Sequence, residues 1–222
     1  MAMRARRRRD FLPQPGPRLG GGRSCSLPAP LDPRPPGTWT PEPAPLSFAA
    51  FLARIQSPAL RAVATHWREA ASTRAMPGWK DIDPMAIAPH LPIVWAWKYD
   101  RATGAFTGRL AGDAIALAFG RQLRGVALHD FFADRDPDEV AARFRRIVGE
   151  PALMYCDGQV FKHAGRVGQG ERIALPLAED GRTPDGILGA TTYSLPGGLH
   201  QQAPSGERMT QHRYTFFPLD GA

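Results

Sequence analysis

The chain has 222 residues, 28 Lys and Arg against 21 Asp and Glu for a formal charge of +7, and 43% hydrophobic content. That composition excludes collagen-like and wholly disordered chains and predicts one substantial core. Nor does the charge mark a nucleic-acid-binding face. Residues 1–45 hold eight Arg and three acidic residues, whereas the remainder is nearly neutral, with 20 basic and 18 acidic side chains.

The first 45 residues include eleven Pro and five Gly and few large apolar side chains, so a disordered tail is predicted. An over-early start codon in GC-rich DNA is another reading of such a tail: the chain has no Asn, and only Lys80, Lys98 and Lys162 beside 25 Arg. The run Arg4 to Arg9 supports only salt-sensitive, unspecific attraction to nucleic acid or an acidic membrane. Arg8-Arg9-Asp10-Phe11-Leu12 resembles a twin-arginine export signal, yet Pro13-Gln-Pro-Gly follows where an apolar stretch is required. No window approaches the ~20 apolar residues of a membrane span. Cys25 and Cys156 have no CxxC spacing, which argues against a disulfide framework or zinc site. A soluble, cytoplasmic protein is expected.

From Leu46 the pattern changes. Phe48, Phe51, Leu52 and Ile55 recur at helical spacing, Ser57-Pro58 supplies an N-cap and first-turn proline, and Leu60, Val63, Ala64, Trp67 and Ala71 form a second stripe. Residues 46–75 therefore read as an amphipathic helical segment, offering a homodimer surface through 48–71. After Pro77-Gly78 a capping-and-turn segment leads to a strand over Ile93–Tyr99, with Ile93, Trp95, Trp97 and Tyr99 on one face. Asp100 to Gly104 turn the chain, and Ala105–Leu110 return as the hairpin partner.

Helical signals follow at Asp113–Phe119 and around Phe131, then Asp136-Pro137 cap a helix running to Val148. Three further strands are expected near Leu153–Phe161, Arg172–Leu177 and Gly186–Ser194, and the Gly-rich stretch 165–170 reads as a turn. Strands grouped on either side of a helical insert predict α+β architecture with one antiparallel sheet. Residues 196–222 read as a mostly irregular tail with a short apolar stretch at Tyr214–Leu219.

Several pieces occur together in one order: Asp81-Ile82-Asp83-Pro84 with Leu91-Pro92, Arg109-Leu110-Ala111-Gly112, Phe119 through Gly125, Leu175-Pro176-Leu177, and Ile187-Leu188-Gly189-Ala190. In these the chain resembles the compact, mostly single-domain PAS family of bacteria. The departure is Asp113, where similar sequences carry a small hydroxyl residue. The resemblance implies a PAS-like domain over 76–195: a five-stranded antiparallel sheet with short helices on one face, enclosing a pocket for a small molecule or presenting a surface to a partner.

Arg109, mid-strand, is the candidate to grip a carboxylate or phosphate with its planar fork, or else to pair with Asp113. Trp97, Phe119, Phe131 and Tyr155, with Trp95, Phe132 and Phe161, are candidates to line a ligand pocket, although a packed core needs the same residues. His90, His129 and His163 stand alone, without the partner spacing of a haem or metal site, and no metal is expected. Asp134, Asp136 and Asp138 imitate a calcium loop, but Glu139 stands where glycine is needed and Arg145 where the bidentate Glu belongs. Cys156 lies in a strand, outside the Asn-Cys-Arg setting of flavin-reactive PAS cysteines. No nucleophile elbow, phosphate loop or carboxylate pair is present.

The expected function is a non-enzymatic sensory or regulatory module, binding an unidentified small molecule or a signalling protein to which its output passes. The alternative is a small α+β enzyme or ligand carrier using the same pocket. It requires His90 or His129 to meet Asp113 or Asp130 in a cleft.

Overall fold

The computed structural model describes residues 48–133, 136–163, 166–194 and 213–219, and only the backbone at 161–163, 166 and 167. The expected disordered tail, Cys25, Asp134 and the side chains of Phe161 and His163 lie outside these.

Helix α1 (Phe48–Arg54) leads into α2 (Pro58–Ala71). Ser57 Oγ accepts from Leu60 N–H at 3.4 Å, and Pro58 sits in the first turn, where no N–H is needed. Phe51, Leu60, Val63, Ala64, Trp67 and Ala71 are completely buried. They pack against the chain's own sheet, so the apolar stripe that suggested a dimer through 48–71 is covered from within the molecule.

Strands β1 (Val94–Asp100) and β2 (Ala105–Ala111) form the expected hairpin, with Gly104 at φ +70° in the turn. Helices α3 (Asp113–Phe119), α4 (Leu128–Phe131) and α5 (Pro137–Gly149) follow. Asp136 caps α5 by accepting from Glu139 N–H at 3.0 Å, which accounts for its place in the calcium-like pattern. Then come β3 (Ala152–His163), β4 (Arg166–Leu177), β5 (Gly186–Ser194) and β6 (Arg213–Pro218). All pairings are antiparallel, in the order β2-β1-β5-β4-β3-β6.

The class is α+β, as expected, but three details differ. The sheet has six strands: β6 pairs with β3 from Ala152↔Pro218 to Asp157↔Arg213, ending on a proline that an edge strand tolerates. Gly168 and Gly170 belong to β4 instead of a turn, and a Cβ on Gly170 would stand 2.0 Å from Thr192 O, so the close pairing with β5 needs glycine. Ile93 ends a 3-10 turn (Ala88–Ile93) and packs on the opposite side of the sheet from Trp95.

Both sheet faces are covered. Alternation along each strand sends Val94, Ala96, Leu153, Tyr155, Ile173 and Leu175 to the side of α1 and α2. Trp95, Trp97, Met154, Cys156, Ala174 and Ile187 go to the other, beneath α3 to α5. Trp67 Nε1 ties α2 to the sheet by donating to Pro176 O at 2.9 Å. On the other side the Trp95 indole lies over Gly189, where any Cβ would be 2.1 Å from the ring.

Candidate functional site

Polar groups cross the otherwise apolar α3–α5 side in a single row. Strand register places Tyr214 beside Cys156, Cys156 beside Arg172, and Arg172 beside Thr191, on β6, β3, β4 and β5 in turn. Arg172 Nε donates to Thr191 Oγ1 at 3.1 Å, and Trp95 Nε1 donates to the same oxygen at 2.9 Å, so both hydroxyl lone pairs are engaged. Arg172 Nη2 donates to Val160 O. A β-bulge explains why that carbonyl is available: register jumps from Gln159↔Gln169 to Phe161↔Gly168, leaving Val160 without a partner on β4.

Helix α5 closes over the row. Arg143 lies 4.5 Å above the Tyr214 ring and is ion-paired with Glu139, while Arg146 lies 4.3 Å above Phe216. Tyr193 Oη donates to Ala114 O at 3.1 Å, fixing the start of α3 over β5. Burial pushes the Cys156 thiol up to about 11, with Arg172 opposing it, and pushes the Tyr214 phenol up to about 12. Both are neutral at physiological pH. Burial lowers Arg172 from the ordinary guanidinium value, yet a guanidinium stays charged in proteins. The row therefore carries one half-buried cation among neutral donors and acceptors.

Residues expected from the sequence to form one site fall in three places. Trp97, Phe119 and Phe131 do meet under α3–α5, with ring centroids 5.8 Å apart for Trp97 and Phe131 and 5.0 Å for Phe119 and Phe131. Phe132 and Phe144 complete this aromatic compartment, which is filled by its own rings. Tyr155 lies on the opposite sheet face, because residue 155 alternates against Cys156, and its hydroxyl donates to Glu171 Oε1 at 2.5 Å. Arg109 is exposed and skipped by the β1–β2 register, and its guanidinium stacks 4.2 Å above Trp79. Among the described residues it forms no ion pair with Asp113.

His90 is half-buried, and His129, Asp113 and Asp130 are exposed. Among the described residues no group of three His, Cys, Asp or Glu side chains could hold a metal ion. An open groove of ≈ 560 Å³, lined by Arg61, His66 and Glu69, runs along the outer side of α2, remote from the polar row.

Sequence reasoning missed Arg172, Thr191 and Tyr214. The available signal was a lone arginine at the head of the run Ile173-Ala-Leu-Pro-Leu, a charge entering a strand otherwise fit for burial on both faces.

The antiparallel sheet with its helical insert agrees with the comparison to known families, where the PAS domain family matches residues 55–192, more than half of the chain. The chain belongs to the PAS domain family. Neither a curated protein nor a solved structure matches it. PAS domains are sensory or regulatory modules in general, and this one has no helix among its described residues long and apolar enough to cross a membrane.

Proposed function

We propose that this PAS domain is a regulatory module, acting in the cytoplasm without catalysis of its own, that takes a small molecule on the α3–α5 side of its sheet. Its state then passes to a partner protein. The supporting observation is the row Tyr214–Cys156–Arg172–Thr191: a few convergent polar groups in a mostly apolar, helix-covered compartment are what a small-molecule site requires. Native mass spectrometry of the purified full chain, followed by thermal-shift screening of a metabolite panel, tests this. A retained or stabilising small molecule is expected. A chain that emerges free and gains no stability from any compound would overturn ligand sensing.

Partner docking is the second reading, and the self-filled packing of Trp97, Phe119 and Phe131 favours it. Under docking, the screen stays silent while a specific protein co-purifies in stoichiometric amount.

A further inference from the structure

We propose that the molecule this domain senses is a small oxyanion, a carboxylate or phosphate carrier, gripped by the Arg172 guanidinium. The inference rests on the ligand-sensing reading and gives it a chemical class.

Adjacent residues of β4 make the case. Glu171 points to the α1–α2 side and Arg172 to the α3–α5 side, so the chain places opposite charges back to back through the sheet. The two are not each other's partners. Glu171 is saturated by donors: Gln56 N–H at 2.9 Å, Ser57 N–H at 2.6 Å and Tyr155 Oη at 2.5 Å. Arg172 has only neutral acceptors, Thr191 Oγ1 and Val160 O, and among the described residues no carboxylate pairs with it. A guanidinium has five N–H groups arranged to meet a planar oxyanion with two parallel bonds, and two bonds to neutral oxygens leave its charge without a counter-ion.

The nearby carboxylates are Glu139, which pairs with Arg143, and Asp157; neither pairs with Arg172. Cys156 and Tyr214, flanking Arg172 along the row, are neutral below pH 9, and the nearest further charge from the covering helix is Arg143, whose own counter-ion is Glu139 on the same helix. A removed counter-charge of this kind in a low-dielectric setting favours an anion over a neutral ligand of equal size. Part of the Arg172 side chain remains exposed.

Calorimetric titrations of the full chain at pH 7 with benzoate, succinate, inorganic phosphate and neutral benzamide test the inference, repeated on Arg172→Met and Arg172→Lys. Folding of each variant is checked by circular dichroism. At least one anion should bind, benzamide should not, and affinity should fall about tenfold or more in Arg172→Met, with partial retention in Arg172→Lys. Preference for benzoate and succinate identifies a carboxylate ligand; preference for phosphate, a phosphorylated one. Equal anion affinity in Arg172→Met would overturn the inference. So would a neutral metabolite, found by the screen above, that binds wild type and Arg172→Met alike; in that case the sensing reading stands while the anion class falls. If neither anions nor neutral compounds bind, both fall.

Discussion

The two faces of one sheet carry charge in opposite ways. On the α1–α2 side the charge is structural: Glu171 gathers the N–H groups of Gln56 and Ser57 at the junction of the two helices and fastens that junction to β4, with Tyr155 as a third donor. On the α3–α5 side Arg172, one residue on, meets neutral oxygens at a bulge and leaves most of its bonding capacity unmatched. Glu171 finds its complement inside the fold, whereas Arg172 finds no counter-ion there. On the proposed reading, stability rests chiefly on one face and recognition on the other.

Removing the α1–α2 anchor should have the largest effect. Trp67→Ala deletes a fully buried indole and its bond to Pro176 O, and a loss of about 3–5 kcal/mol in denaturant unfolding is expected. A loss below about 1 kcal/mol would mean that α2 is loosely attached and that the comparison misassigns stability. Glu171→Gln keeps the shape but removes the charge and turns one of the two accepting oxygens into an NH2 donor, and about 2 kcal/mol should be lost.

Cys156 sharpens the comparison from the other face. Its thiol is raised from 9.0 to about 11, chiefly by burial, so the protonated form is the one the fold prefers. The resulting stability is fully present below pH 9 and is lost as pH climbs towards 11. At pH 10 the wild type should have lost about 1 kcal/mol more than Cys156→Ala, both referred to pH 8. Parallel pH profiles for the two proteins would show that the row is open to solvent. At pH 8 the same thiol should resist a disulfide reagent until the chain is unfolded.

Much of this architecture was legible in the sequence, and its limits have physical causes. Ser57-Pro58 and Asp136-Pro137 announced α2 and α5 because capping is local, and Asp100 to Gly104 announced the hairpin because turn chemistry is local too. Strand β6 was noticed only as an apolar stretch, since six residues ending in proline gain their identity from pairing with β3. Arg109 looked like the ligand-facing arginine because simple alternation was assumed, and the β1–β2 bulge breaks that alternation at this residue. Arg172, signalled only by a charge at the head of Ile173-Ala-Leu-Pro-Leu, was overlooked for a related reason. Its significance depends on both faces of β4 being covered, which no window of sequence around it states.

The most direct measurement is the unfolding free energy of ligand-free Arg172→Met beside that of Glu171→Gln. A methionine removes a charge without a counter-ion but also takes the donor from Val160 O, two opposing effects, so the net loss should stay smaller than that of Glu171→Gln. Equal losses in the two variants would make Arg172 as structural as Glu171 and would contradict the division between the faces.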